Sequence, residues 1–289
     1  MPSLKDIRTR IKSVTSTQKI TRAMKMVAAA RLRRAQESVE SLRPYAYRLR
    51  ETLWEISNEG GGSENPLLTP REQKRTRLLL MTSDRGLCGG FNTNVNRATE
   101  NFLKEHAETH EKIDLAIVGR KGNDYFKRRD VEIARTYDDI LGKPTMDKSR
   151  AIAEETTQAY LDGEIDAVYI VYNEFKNAVT QEIRMERLLP VVPEEVADTS
   201  EPGVEFVYEP GKQELQDTLA PLHIAVQIHR TILESIASEM GARMTAMDGA
   251  TKNAGELNDR LKLLYNRARQ ASITKELMEI VGGSEALKG

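Results

Sequence analysis

Three stretches of this 289-residue chain hold residue types that could do chemistry. The first is Ser83-Asp-Arg-Gly-Leu-Cys-Gly-Gly-Phe-Asn92, which follows an apolar run and precedes a helical pattern, where a phosphate-binding loop would sit. Its glycines, Gly86, Gly89 and Gly90, have neither the dinucleotide-binding nor the Walker spacing, and no Gly-Lys-Ser/Thr follows. Spacing leaves nucleotide binding and a tight strand-to-helix turn both open, with the turn preferred. Cys88 lies in the same loop without a nearby His or second Cys, so a buried structural thiol is expected over a reactive one. The second stretch holds His106 and His110, four apart on an expected helix. Its sequence HAETH departs from the zinc-protease pattern and supplies no third ligand, so surface histidines are expected. Asp138-Asp139 and Glu154-Glu155 read as solvated carboxylates, and no Ser, His and Asp constellation emerges. No catalytic residue, cofactor or metal is therefore expected.

The third stretch is residues 1–34, where ten Lys and Arg face Asp6 alone, a local charge of +9. Such a helix suits phosphate backbones or an acidic protein surface. It has no aromatic residue for base stacking, which weighs against a nucleic-acid partner.

These candidates sit on three segments of different character. Ser3 followed by Asp6 forms a capping-box variant that predicts a helix from about Leu4. Apolar positions then step four and three through Ala28, Leu32, Ala35, Val39, Leu42, Ala46, Leu49, Leu53 and Ile56, a heptad seam that runs through Pro44 without a break. Upstream, Leu4, Ile7, Ile11 and Val14 share the spacing. The apolar phase then slips past Gln18 and Thr21 before Ile20, Met24 and Val27 resume, which predicts a local change of winding. The C-terminal segment alternates likewise through Leu233, Ile236, Met240, Arg243, Met247, Ala250, Ala254, Leu257, Leu261, Leu264, Ala268 and Ala271, with Arg243 its one polar member. Between the ends, 76–83 (TRLLLMTS), 113–118 (IDLAIV) and 167–172 (AVYIVY) read as buried parallel strands. Helical patterns at about 91–107, 120–128 and 146–161 separate them, a strand-like stretch at 179–189 closes the set, and 60–66 and 190–210 are junction loops.

The expected fold class is α/β: a Rossmann-like doubly wound domain at 58–212, inserted between terminal helices at 1–57 and 213–289 that pair as an antiparallel coiled coil. Starting level at the domain, the second helix outruns the first by roughly 15 residues, or about 20 Å. Ile273, Leu277, Met278, Ile280 and Val281 then lack an intramolecular partner, which calls for a partner enclosing the tip.

Composition agrees. Charges nearly balance, at 43 basic against 44 acidic residues, so any strong field must come from uneven distribution. Hydrophobic content of 39% with 5% aromatics favours long solvated helices over one large core. Of the 15 aromatics, 14 lie between Tyr45 and Tyr208, which marks the middle as the globular part. One cysteine excludes an internal disulfide. The N-terminal MPSLKDIR has no apolar stretch or import-type presequence, so neither secretion nor organelle import is expected.

Three motifs, TQKITRAMKMVAAARLRRAQ (17–36), TSDRGLCGGFN (82–92) and ARMTAMDGATKNAGEL with YNRARQASITKELMEIVGG (242–283), together closely resemble the gamma subunit family of F-type rotary ATP synthases, and the resemblance spans the whole chain. The resemblance implies a non-catalytic central shaft that couples proton- or sodium-driven c-ring rotation to chemistry at beta-subunit sites. The implied partners are the alpha and beta subunits, the epsilon subunit and the c ring. The resemblance implies no nucleic-acid partner, a nucleic-acid binder using the basic helix remaining a second rival, and membrane association, peripheral on the cytoplasmic face of a bacterial plasma membrane, comes only through the complex. Carried over by residue, Met24 with Lys19, Arg22 and Lys25 faces the beta-subunit levers, and Arg243 matches the family's arginine in the seam. Arg269, Gln270 and Thr274 match contacts with beta-subunit loops, and Tyr208, Glu209 and Pro210 resemble the foot that meets the c ring and epsilon. The chloroplast-type redox insert is absent. The rival class is an α/β nucleotide-binding enzyme with a helical oligomerisation hairpin.

Overall fold

The computed structural model describes residues 3–58, 65–191 and 208–286. The elements are α1 (Leu4–Asn58), β1 (Arg75–Met81), α2 (Phe91–Glu105), β2 (Lys112–Val118), α3 (Arg120–Phe126), β3 (Ile133–Tyr137), α4 (Met146–Leu161), β4 (Ala167–Phe175), β5 (Gln181–Leu189) and α5 (Lys212–Ala286). Most of the two expected junction loops lies outside the described residues. The chain divides into two compact units: a hairpin unit, Met1–Ala28 with Met244–Gly289, and a sheet unit, Ala29–Arg243. Thus α1 and α5 each supply residues to both units.

The sheet runs in the order β3-β2-β1-β4-β5, with β1, β2, β3 and β4 parallel and β5 antiparallel on β4. Alternate residues serve opposite faces, as a strand's period of two requires. Leu78, Leu80, Leu115, Ile117 and Val171 pack with Val95 of α2 and Phe126 of α3. Leu79, Met81, Val118, Ile170 and Tyr172 pack with α4 and with Ile224, Ile228 and Ile232 of α5. The charges inside two of the apolar runs answer each other. Arg77 stands opposite Asp114 in the β1–β2 register and donates to both its carboxylate oxygens, at 2.7 and 2.9 Å.

Two expectations need correction here. The strand β3 was not anticipated, because Ile-Ala-Arg-Thr-Tyr at a sheet edge is half exposed and lacks an apolar run. In addition, α2 ends at Glu105, so His106 is its C-cap and His110 lies past the following turn rather than on the helix.

The hairpin unit gives a third correction. Ser3 and Asp6 close the N-terminal box: Ser3 N donates to Asp6 Oδ2 and Asp6 N to Ser3 Oγ, both at 3.2 Å. Beyond it the seam does not slip. Ile7, Thr21 and Ala28 are buried and Leu4, Ile11, Val14, Gln18 and Lys25 half-buried, whereas Ile20 and Val27 stand 57% and 54% exposed. The seam keeps its spacing by accepting polar residues, so no change of winding is needed. On α5 the inward positions are Met247, Thr251, Ala254, Asn258, Leu261, Tyr265, Ala268 and Ser272, all buried or half-buried. Leu257 and Leu264, expected in the seam, lie outside it at 47% and 44% exposure. Every second inward position on α5 below Met247 is therefore polar or carries a hydroxyl. Gly255 belongs to this arrangement, because a Cβ there would stand 3.0 Å from Gln18 Nε2.

Cross-helix contacts fix the antiparallel register. Arg8 pairs with Tyr265, Thr21 with Thr251 and Lys25 with Asp248. The same register sets Leu4 opposite Arg269, and α5 continues for 17 residues more, roughly 25 Å. Along that stretch Ile273, Leu277, Met278, Ile280 and Val281 are all about half exposed or more, as the unequal helix lengths predict.

Candidate partner interface

The residues singled out by resemblance fall in both units. Lys19, Arg22, Met24, Lys25, Arg269, Gln270 and Thr274 belong to the hairpin unit, and Tyr208, Glu209 and Arg243 to the sheet unit.

In the hairpin unit, α1 turns Lys19 and Arg22 outward because Gln18, Thr21 and Lys25 occupy the seam. Among the described residues, neither Lys19 nor Arg22 has a carboxylate partner, nor do Lys5, Arg10 and Lys12. Lys25 is half-buried and its Nζ donates to Asp248 Oδ1 at 2.6 Å. Lys252 holds the other oxygen at 3.1 Å, and hydrogen bonds from these two ammonium groups keep the Asp248 carboxyl below the usual range. Met24 is half-buried beside the exposed Met26 and Val27. This surface is cationic with apolar islands, a combination that suits an acidic protein surface with its own apolar groups. Arg269, Gln270 and Thr274 are exposed, at and just beyond the end of the helix pairing.

In the sheet unit, Arg243 turns inward. Its guanidinium is 11% exposed, pairs with Glu239 at 2.6 Å, and donates from Nη2 to the carbonyls of Arg85 and Gly86 at 3.1 and 3.2 Å. Burial raises the Glu239 carboxyl pKa, and Arg243 opposes that rise. The one charge in the α5 seam thus ties the loop after β1 to the helix, a role its position in a periodic pattern did not reveal.

That loop is closed upon itself. Ser83 N donates to Asn92 Oδ1 at 2.9 Å, Ser83 Oγ to Arg85 O at 2.8 Å, and Asn92 Nδ2 to Cys88 Sγ at 3.3 Å. These bonds make it a tight strand-to-helix turn, the preferred of the two readings. Cys88 is buried, and desolvation pushes its thiol pKa up. At the neighbouring turn from β2 to α3, Gly119 has φ +95°, and a Cβ there would meet Thr82 O at 2.5 Å, so only glycine fits.

His106 stacks on Phe102 with ring centroids 4.0 Å apart, and both rings are half-buried rather than on the surface. No group of three or more metal-ligating side chains occurs among the described residues. Tyr208 is half-buried and Glu209 exposed, just before α5. No helix among the described residues is long and apolar enough to cross a membrane.

The comparisons with known proteins agree with this architecture. Residues 3–287 match the ATP synthase family. The chain is 51% identical over 292 residues to the ATP synthase gamma chain of Anaeromyxobacter sp. (strain Fw109-5), covering both chains in full. It is 48% identical over 289 residues to that of Geobacter metallireducens, again with full coverage of both. Among solved structures, a chain of the Euglena gracilis mitochondrial ATP synthase OSCP/F1/c-ring assembly shares the fold with TM-score 0.70 and 20% identity, covering 98% of this chain and 94% of that one. A chain of the Tetrahymena thermophila mitochondrial ATP synthase central stalk and c-ring matches with TM-score 0.58 and 25% identity, covering 80% of this chain and 99% of that one. With about half its residues shared end to end, and with two long paired helices flanking a five-stranded α/β sheet, the chain belongs to the ATP synthase gamma chain family.

Proposed function

We propose that this chain is the central rotor shaft of an F-type ATP synthase, coupling proton- or sodium-driven rotation of a c-subunit ring to ATP synthesis and hydrolysis at beta-subunit sites. The observation that carries the reading is the end of α5, where residues 270–286 extend past the start of α1 with apolar side chains exposed. A lone amphipathic helix end of this kind is stable in water only when a partner covers it.

In this reading the alpha and beta subunits enclose the hairpin unit. Lys19, Arg22, Met24 and Lys25 meet acidic beta levers, and Arg269, Gln270 and Thr274 meet beta loops. Arg243 of the sheet unit contributes to partner contact by holding the loop after β1. Tyr208 and Glu209 meet the c ring and the epsilon subunit, and the chain is carried at the cytoplasmic face of the plasma membrane by the complex. The shaft has no active site of its own. Because its surface is asymmetric, each beta subunit meets a different set of side chains, and rotation shifts the populations of their nucleotide-binding states by differential contact.

The test is co-expression with the alpha and beta subunits of the same organism, with the full chain and with a chain lacking 270–289. One copy per hexamer, and impaired assembly or turnover on deletion, is the expected result. A full chain that stays outside the hexamer overturns the reading.

A further inference from the structure

A cleft of about 730 Å³ opens in the sheet unit between α1, α5 and the β4–β5 pair, within the size range of small-molecule sites. It shares no lining residue with the loop after β1. Arg43, Lys176, Arg184, Arg187 and Arg230 line it together with three carboxylates, Glu174, Glu186 and Glu234, and Arg50 adds a further cation. Each carboxylate is already engaged. Glu234 accepts from Arg43 at 2.9 Å and from Phe175 N at 3.0 Å, Glu174 from Lys176 at 2.9 Å and Arg184 at 2.7 Å, and Glu186 from Arg230 and, at 2.7 Å, Tyr172. Arg187 is exposed and has no carboxylate partner among the described residues.

A second observation points into the same space. His223 lines the cleft at 6% exposure, and its Nδ1 makes no hydrogen bond among the described residues. Burial, with Arg50 and Arg230 adding to it, lowers its pKa to about 4, so the ring is neutral at pH 7 and offers a dipole rather than a charge. Buried polar atoms are normally partnered, and His223 Nδ1, on a residue that lines this cationic recess, is left without one.

We propose that this cleft binds a small anion carrying linked phosphates, gripped by Arg187 and the N–H groups that Arg43 and Arg184 retain beyond their carboxylate bonds, with Arg230 adding its charge. Several guanidinium forks around one recess match a chain of phosphates better than a single carboxylate or phosphate. The inference stands apart from the shaft reading.

Trp54, the one tryptophan of the chain, also lines the cleft and reports on it. The full-length chain is titrated with tripolyphosphate, with ATP, and with sodium sulfate at matched ionic strength, following Trp54 fluorescence and heat. Saturable tripolyphosphate binding is expected, weakened about tenfold in Arg187→Ala and partly restored in Arg187→Lys. Thermal melting of both variants should stay unchanged, since Arg187 is exposed. Equal affinity for ATP and tripolyphosphate assigns recognition to the phosphates alone, and tighter ATP assigns a stacking role to Tyr47 and Trp54. Absence of saturation, a response matched by sulfate, or binding indifferent to Arg187→Ala overturns the proposal.

Discussion

Thr21 and Thr251 meet across the hairpin, Oγ1 to Oγ1 at 2.7 Å, where an apolar seam would place two aliphatic side chains. Each hydroxyl also reaches a carbonyl of its own helix, Thr21 to Gln18 at 3.1 Å and Thr251 to Met247 at 2.7 Å. Two hydroxyl protons thus serve three contacts, and the pair is coupled. Thr21→Val or Thr251→Val alone should cost about 1 kcal/mol, and the double variant clearly less than the sum, because either single variant already removes the contact between the two hydroxyls and the double can lose it only once. Urea unfolding of the four proteins checks this, and strict additivity would show that the two hydroxyls act independently.

Lys25 and Asp248 separate stability from partner contact. Both ends of the pair are more than a third exposed, so Lys25→Gln should leave the unfolding free energy near that of the native chain. The low pKa of Asp248 adds stability that is present above its unfolded pKa and lost as pH falls through its lower folded pKa, and Lys25→Gln should weaken that acid dependence. In the assembled enzyme the same variant should alter ATPase rate and its salt dependence. Unchanged turnover would remove Lys25 from the proposed beta contact.

Arg243→Met should be the most damaging single change considered. It strands the buried Glu239 and releases the carbonyls of Arg85 and Gly86, at a cost of about 3 kcal/mol or more. Its pH dependence has a definite sign. With the folded pKa of Glu239 raised above its ordinary 4.5 and raised further without Arg243, the folded state binds the extra proton. Stability of the variant relative to the native chain therefore recovers as pH is lowered from 7 toward 5. Thermal melts across that range measure it, and a pH-independent deficit would rule out Glu239 as the cause.

Cys88 should resist thiol reagents. The thiol is buried and its pKa is raised by burial, with Asn92 packed on the sulfur at 3.3 Å. Labelling by a disulfide reagent should be orders of magnitude slower in the native chain than in the denatured one, and its rate should level off at the opening rate as reagent concentration rises. A second-order rate constant close to that of the denatured chain would mean that the thiol is accessible in the native state.

Much of this was legible in the sequence, for reasons that differ by element. The parallel strands showed themselves as apolar runs because both faces of the sheet are covered, and β3 did not because it is a half-exposed edge. The capping box at Ser3 read directly, since its geometry is local. The helix seam was misread at Gln18 and Thr21 because apolar periodicity assumes an apolar interface. Here the polar side chains on the inner face satisfy one another, and the apolar Ile20, Val27 and Leu257 lie outside. The role of Arg243 was hidden for a similar reason. Its partners are two carbonyls more than 150 residues away, and no spacing rule reaches that far.

The end of the helix pairing at Arg269 also dictates the form of whatever surrounds this part of the molecule. Two helices side by side, each about 10–12 Å across, need a bore of roughly 20 Å in its longer dimension, whereas one helix needs about half that. The change falls within a single turn of α5, where Leu4 of α1 gives out. A partner that encloses it, as proposed, would therefore narrow from a wide, oblong opening to a snug round collar, lined with apolar groups to receive Ile273, Leu277 and Ile280.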